Sequence, residues 1–311
     1  MPEIRAPGKR HIVLGAVQPN GQTTALYVKR LTAAVEAMRR SYERVIERRY
    51  KAALKANEAA GRVMAAFDAA GGSKATETSG DLFAEMRRLQ SFWSDYFDTF
   101  ADNVANPILR DMQADNARSW TGVMKQAGFD IKFNPTPSQT LILKAKTREN
   151  VALIKSIGQQ YHTDIEGDVM RSFVAGRDLD ALSKQLKARG KVTTERAAFI
   201  ARDQANKASA AFNAARQREL GLKWATWIHS SAGKEPRPEH VRAGREHWYF
   251  NTQEGIDFGD KFGHVCPGEA INCRCTSRTV ILAFGTHPDF DESKLEPVPG
   301  FPGAYRMPKA A

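Results

Sequence analysis

Apolar side chains recur every three or four residues through most of the first 220 positions, which is the spacing of amphipathic helices. Residues 1–22 form a flexible basic arm, broken by proline and glycine. A long helix is predicted to begin at Thr23 or Thr24, either of which can cap it, and to end at Gly71-Gly72. Basic side chains lie opposite its apolar stripe: Arg39, Arg40, Arg44, Arg48, Arg49 and Lys51.

An aromatic stripe marks the second predicted helix, which covers residues 81–104 after a small-polar linker. The apolar members lie at helical spacing: Leu82, Met86, Leu89, Trp93, Phe97 and Phe100, with Phe83, Phe92 and Tyr96 beside them. Such a stripe is either core or a contact with another protein. Because it holds more aromatic surface than one helix usually hides against alanine-rich neighbours, we expect it to contact a partner.

Proline and glycine divide the rest of the helical part into shorter predicted elements. Pro107 suits the first turn of a third helix that ends near Gly128. Further helices are expected over 147–174, over 178–188 with Gly190 after it, and from Thr193 or Thr194 to residue 220. Tight turns would make these last three antiparallel neighbours. A DNA-reading helix-turn-helix is an alternative, but the alanine-rich last helix has no recognition cluster at its start.

The pattern changes after residue 221. Residues 223–228 are predicted as a strand, loops and short strands follow, and residues 276–284 are expected to form a closing strand. The proline- and glycine-rich residues 285–311 are predicted to lie extended over the module or to be disordered. The fold class is therefore mainly α. A helical N-terminal region (23–136) and a helical middle (137–221) precede a small α+β Cys/His module (222–284).

Length and charge refine this prediction. A chain of 311 residues has room for one to three domains, and 46 basic against 35 acidic side chains leave a net charge of +11. Residues 1–60 carry twelve basic and five acidic side chains. The basic face of the first helix is either solvated or an electrostatic contact, with double-stranded DNA without sequence preference or with an acidic protein surface. The start of the chain is charged and proline-broken and no apolar run is long enough to span a bilayer, so we expect no signal peptide and no membrane contact.

The chain has three cysteines, Cys266, Cys273 and Cys275, and four of its seven histidines lie in the same segment, residues 224–275. Three thiols cannot all pair, which argues against a disulfide framework and fits a reducing compartment. Thiolate and imidazole are the ligands of structural zinc. The sequence therefore predicts a closed zinc site of His240, Cys266, Cys273 and Cys275. The alternative is three reduced cysteines packed as small apolar residues.

The order of motifs in this segment resembles the Mu-type minor head proteins of tailed bacteriophages, the head morphogenesis family. The residues that carry the resemblance are Arg237-Pro238-Glu239-His240, Gly244, Trp248-Tyr249-Phe250, Pro267-Gly268-Glu269 and Cys273-Arg274-Cys275. Helical residues before them also resemble the family: 153–157, 176–178, 195–197 and 201–204. The chain departs from the family pattern at Ser230 and Ser231, where many members are acidic. It also has only His240 where others have a second cysteine pair.

The resemblance implies a minor head protein built into the procapsid near the portal vertex, with a role in genome packaging or ejection. Such a protein would contact the portal protein, the major capsid or scaffolding protein and, without sequence preference, double-stranded DNA. It would be assembled in the host cytoplasm and lie inside the virion, and the aromatic stripe would dock on the portal. The residues assigned a structural role in the module are Trp224, Trp227, Gly244, Glu269 and Arg274.

Enzyme alternatives are weaker, and we expect no enzymatic activity. A zinc deaminase needs His-x-Glu and Pro-Cys-x-x-Cys, whereas this chain has Glu239-His240 and differently spaced thiols. No glycine-rich phosphate loop, His-Glu-x-x-His helix or Gly-x-Ser-x-Gly elbow occurs in the sequence. The sharpest enzyme alternative is a metal-dependent nuclease built on His229, His240, His247 and His264, although thiolates favour a closed structural site. A sequence-specific DNA-binding protein is a further alternative.

Overall fold

The structure is a computed structural model that describes residues 12–64, 74–174, 179–231, 235–282 and 290–308, with side chains at all of these except 12, 53–54, 56–64, 74–81, 173–174 and 179. Four long helices carry most of them: α1 (Gly21–Met64), α2 (Lys74–Gln126), α3 (Pro137–Val174) and α4 (Leu179–Glu219). A small sheet region follows, which confirms the predicted mainly α fold class. None of the helices in the described ranges has the length and hydropathy of a membrane span.

The helices are longer and fewer than predicted. Pro107 lies inside α2 instead of starting a helix, and the predicted linker before residue 81 is helical from Lys74. Proline removes one hydrogen bond from a helix interior, and burial of Ile108 and Leu109 beside it offsets that loss. Helix α3 begins at Pro137, ten residues before its predicted start, where proline is well suited to the first turn.

Gly190 lies inside α4, so the two helices predicted on either side of it are one. A Cβ added at Gly190 would lie 2.1 Å from Cδ of Arg39 in α1. The missing side chain therefore lets α4 approach Arg39 closely, and this glycine serves packing rather than helix termination. The predicted helix stops at Gly71-Gly72 and Gly176, and the predicted cap at Asp178, lie outside the described residues.

The chain forms two compact units, each built from separated stretches of sequence. One unit contains residues 26–105 and 149–201 and is helical. Large apolar and aromatic side chains fill its core: Tyr27, Leu31, Val35, Met38, Tyr42, Trp93, Phe97, Ile154, Ile157 and Tyr161. Packing is close, since a Cβ added at Gly158 would lie 2.6 Å from the Phe97 ring.

The aromatic stripe of α2 belongs mainly to this core. Leu82, Met86, Trp93 and Phe97 are buried, and Nε1 of Trp93 donates to Oγ of Ser41 at 2.7 Å. The prediction that the stripe as a whole faces a partner is therefore wrong. The prediction assumed that the neighbouring helices are rich in alanine and could not cover the aromatic rings. Instead, α1 and α3 contribute large side chains to the same core. The aromatic residues that stay exposed are Phe92 and Tyr96, at 59% and 36%.

The other unit contains residues 1–25, 106–148 and 202–311. Its described strands are β1 (Ile12–Val13), β2 (Trp224–Ile228), β3 (Tyr249–Asn251), β4 (Ile256–Asp257), β5 (His264–Val265), β6 (Thr276–Ile281), β7 (Glu296–Pro297) and β8 (Tyr305–Arg306). An antiparallel sheet has the order β1-β6-β2-β3-β8-β7, and β4 pairs with β5. The two strands predicted from the sequence are confirmed as β2 and β6.

Both ends of the chain contribute to the sheet. Ile12 pairs with Ile281, and Leu14 and Val17 of the predicted arm are buried beside Trp120. At the other end β8 pairs with β3, and β7 pairs with β8. The described parts of the predicted arm and tail are therefore folded, because they cover sheet edges that would otherwise expose unpaired backbone groups.

Candidate metal centre

Three of the four predicted zinc ligands, His240, Cys273 and Cys275, come together in the core of the C-terminal module. His240 lies on a short helix, α5 (Pro238–Arg245), which opens with a proline whose fixed φ suits the first turn. The two cysteines directly precede β6, and both thiols contact the imidazole of His240. All three residues are buried.

The ligand atoms of this trio have the spacing of a metal site. Nδ1 of His240 lies 3.6 Å from Sγ of Cys273 and 3.8 Å from Sγ of Cys275. One ligand atom of each residue lies within 4.8 Å of the others. Tetrahedral zinc, with bonds of about 2.3 Å to sulfur and about 2.1 Å to nitrogen, separates such ligands by about 3.6 Å. The trio therefore fits a zinc-sized ion, and one imidazole with two thiolates is a donor set that zinc favours.

Aromatic rings hold the imidazole in place. Trp227 meets the His240 ring edge-to-face at a centroid distance of 4.9 Å, and the Phe258 ring lies 4.4 Å from it. His240 is 2% exposed, and its Nε2 has no hydrogen-bond partner among the described residues. Packing rather than a hydrogen bond to Nε2 therefore orients the ring, with Nδ1 facing the thiols.

The two thiols shift each other's pKa in opposite directions. The hydrogen bond with Cys275 lowers the pKa of Cys273, burial opposes this, and the contact with His240 adds to the lowering. The hydrogen bond with Cys273 raises the pKa of Cys275, and burial raises it further. These opposite shifts favour the thiolate at Cys273 and the thiol at Cys275. A divalent cation would also stabilise a thiolate at Cys275, because metal binding displaces the proton of a ligating thiol.

Cys266 lies outside the trio. Its thiol donates to the carbonyl oxygen of Thr252 at 3.6 Å, and burial raises its pKa to about 12. Its backbone N–H donates to Oε2 of Glu269 at 2.6 Å, so the turn that carries Cys266 is fixed by contacts other than a metal. The described residues thus supply a site of three ligands in place of the predicted closed set of four.

The other motif residues shape the module. Trp224 packs edge-to-face on Tyr305 at 5.3 Å between ring centroids. A Cβ added at Gly244 would lie 2.6 Å from Cβ of His229, so α5 can approach the end of β2 only with glycine there. Arg274, which lies between Cys273 and Cys275 in the sequence, is half-buried.

Asp203, which carries no predicted role, supports the cysteine loop. This residue of α4 is 5% exposed. Its Oδ1 accepts a hydrogen bond from the backbone N–H of Asn272 at 2.6 Å, and its Oδ2 pairs with Lys207 at 2.8 Å. Asn272 has a φ of 58°, in the left-handed region, and immediately precedes Cys273. One feature of the sequence could have identified Asp203. It is an acidic residue in an alanine-rich helical stretch, and it lies inside one of the segments that resemble the family.

The basic residues predicted to contact DNA fall into two groups. Arg39 is paired with Glu36 and Glu43, and Arg49 donates to Glu85 at 2.6 Å. The exposed members are Arg40, Arg44, Arg48 and Lys51, and Arg48 also pairs with Glu85 at 3.5 Å. The structure therefore leaves a smaller basic surface on α1 than the sequence predicted, because carboxylates of α1 and α2 neutralise part of it.

Within the described part of the chain, the four histidines of the nuclease alternative do not form a shared metal site. Only His240 belongs to a group of possible ligands, and its partners there are the two thiols.

Comparison with known proteins gives a family match over the segment that contains the candidate metal centre. Residues 163–278 match the family described as phage Mu protein F like protein. The resemblance to Mu-type head proteins is thereby confirmed over this segment, which contains His240 and all three cysteines. An uncharacterized protein of Haemophilus influenzae is 33% identical over 202 residues, which are 64% of this chain and 43% of that protein. The chain thus spans less than half the length of that relative. No solved structure matches this chain.

Proposed function

We propose that this chain is a minor capsid protein of a tailed bacteriophage and acts in head morphogenesis. The match of residues 163–278 to the phage Mu protein F family carries the proposal, since that family suggests a head morphogenesis protein. The protein would be assembled in the host cytoplasm, enter the procapsid near the portal and stay inside the capsid. Its role would lie in genome packaging or ejection rather than in enzymatic catalysis.

The proposed partners are the portal protein, the major capsid or scaffolding protein and double-stranded DNA. The family likeness supports the protein partners. The exposed cations of α1, Arg40, Arg44, Arg48 and Lys51, support a DNA contact through phosphates and without sequence preference.

The metal that we propose for the trio is zinc, in a structural role. Three protein ligands leave a fourth position on a tetrahedral ion, as catalytic zinc sites do. Burial of His240, Cys273 and Cys275 against Trp227 and Phe258 restricts access to that position. A bound ion would link α5 to the residues directly before β6 and would therefore act as a structural crosslink.

The composition of purified phage particles tests this function. We expect mass spectrometry to find the chain in mature heads at low copy number relative to the major capsid protein. Phage that lack the gene should produce fewer infectious particles, and the gene supplied in trans should restore them. A chain that is expressed during infection but absent from both procapsids and mature heads would contradict the proposal.

A further inference from the structure

One exposed surface has no role in the proposed function: a face of α2 that we name the acidic aromatic face. It is lined by Phe92, Asp95, Tyr96, Thr99, Phe100 and Asn103. These residues recur at i, i+3, i+4, i+7, i+8 and i+11, so they form one stripe about 16 Å long. Phe92 and Tyr96 are exposed, and the ring of Tyr96 stacks on Phe100 at 5.3 Å. Asp95 gives the face a negative charge, and no basic side chain lines it.

A second exposed surface has the opposite charge, and we name it the basic cleft. It lies between α2 and the segment that follows that helix. Four cationic side chains line it, and no acidic one does: Arg110, Arg118, Lys132 and Arg216. Arg110, Arg118 and Lys132 are exposed; Arg118 forms an ion pair with Asp115, so Arg110 and Lys132 carry most of the accessible positive charge. The walls between them carry Ala114, Ala117 and Phe133, which give the cleft apolar surface.

Arg216 adds a buried cation to this cleft. It is 5% exposed, and its guanidinium lies 4.6 Å from the centroid of the Phe133 ring. It donates to Glu219 and to the carbonyl oxygen of Asn134, while its Nε has no hydrogen-bond partner among the described residues. The cleft therefore combines an aromatic ring, a fixed buried charge and exposed cations, which suits a ligand that is both apolar and acidic.

We infer that the acidic aromatic face of one copy binds the basic cleft of a second copy of this chain. The charges are opposite, and both surfaces expose apolar side chains between the charged ones. The lengths also agree, because the cleft follows α2 from Arg110 to Thr121, again about 16 Å.

This contact is heterologous, since two different surfaces meet. Each copy carries one face and one cleft, so the assembly either closes once every face has filled a cleft, with a reciprocal dimer as its smallest form, or continues as an open chain. A helical face of three turns in a cleft is a small interface, and we expect reversible binding that depends on protein concentration. The inference rests on these two surfaces alone and does not depend on the proposed function.

Sedimentation velocity of the full chain at increasing concentration provides the first test. The mean mass of the parent should rise above that of the monomer with concentration and should fall with added salt. Asp95→Lys places like charges in contact, and so does Lys132→Glu, so each variant should associate about tenfold more weakly than the parent. Lys144→Glu is the matched control, because this exposed lysine of α3 does not line the cleft; it should associate as the parent does.

Mixing the two variants gives the decisive result. The reversed face of Asp95→Lys meets the reversed cleft of Lys132→Glu, and their unaltered surfaces also match. An equimolar mixture should therefore associate about as strongly as the parent, and about tenfold more strongly than either variant alone. Phe92→Ser weakens the contact without a change in charge, and circular dichroism melts show whether each variant is folded.

Three results would overturn the inference. They are a parent that stays monomeric up to its solubility limit, a mixture that associates no better than its components, and a Phe92→Ser variant that associates like the parent. The parent could instead fail to self-associate while Asp95→Lys lost binding to the portal or capsid protein. The acidic aromatic face would then be the binding site for that protein. The proposed function would then stand without this inference.

Discussion

His240, Cys273 and Cys275 are the only described side chains grouped closely enough to hold a metal ion. Their burial means that the state of the site affects folding as well as chemistry. The opposite pKa shifts favour a thiolate at Cys273 and a thiol at Cys275, and Nε2 of the imidazole has no hydrogen-bond partner among the described residues. A bound ion would favour the thiolate at both sulfurs and would link α5 to the residues that enter β6.

At this scale, we predict that Cys273→Ser abolishes stoichiometric zinc and that Cys266→Ser keeps it. Cys273 is a member of the trio, whereas Cys266 contacts the carbonyl oxygen of Thr252. Structural zinc contributes on the order of 10 kcal/mol to the folding of small modules, so Cys273→Ser should also unfold the module while the helices persist. Elemental analysis of protein purified without chelator, with near- and far-ultraviolet circular dichroism, measures both effects.

The matched cysteine variants separate the possible outcomes of that experiment. Loss of zinc from Cys266→Ser would make Cys266 the fourth ligand and contradict the three-ligand site. A parent protein without stoichiometric metal would show that the thiols pack as ordinary apolar side chains.

At the scale of elements, α2 buries one aromatic residue and exposes its neighbour. Trp93 is 7% exposed and Phe92 is 59% exposed. Trp93→Ala should therefore cost about 3–5 kcal/mol of unfolding free energy, since it opens a cavity and removes the hydrogen bond to Ser41. Phe92→Ala should change stability by about 0.5 kcal/mol or less. Urea unfolding monitored by circular dichroism measures both, and equal losses would mean that the stripe is not core.

Helix α1 presents cations whose effect on DNA binding can be separated from net charge. Replacement of Arg40, Arg44 and Lys51 by Gln should flatten the salt dependence of DNA affinity, and the slope should change by about 0.9 for each phosphate that the variant no longer neutralises. The matched control replaces the exposed Lys144, Lys184 and Lys187 by Gln, with the same change in charge. Fluorescence anisotropy on two unrelated duplexes at several salt concentrations measures the slope. Equal slopes for both triple variants would show that α1 is not the DNA contact.

At the scale of the whole molecule, each unit is assembled from stretches that are far apart in sequence. Residues 26–105 fold with 149–201, and residues 106–148 fold with both ends of the chain. A cut in the loop between α2 and α3 therefore divides both units. We predict that residues 1–130 and residues 145–311, expressed separately, show no cooperative thermal unfolding, because each lacks part of the core of either unit. A cooperative melt of one fragment alone would contradict this.

Local patterns determined much of this protein. Periodicity identified the helical part, β-branched and aromatic residues identified β2 and β6, and clustered thiols with His240 indicated the metal centre. Motif order gave the family resemblance that the comparison confirmed over residues 163–278. These features depend on residues near one another in the chain, where propensity and chemistry act directly.

Only the tertiary structure decided the rest. It placed Pro107 and Gly190 inside helices, buried Trp93, joined both chain ends to one sheet and left Cys266 out of the trio. Each outcome depends on a distant neighbour, as Gly190 does on Arg39. A helix break is favoured locally by only about 1 kcal/mol at glycine and about 3 kcal/mol at proline. Packing between distant segments can exceed these amounts, and a single sequence does not show which segments will meet.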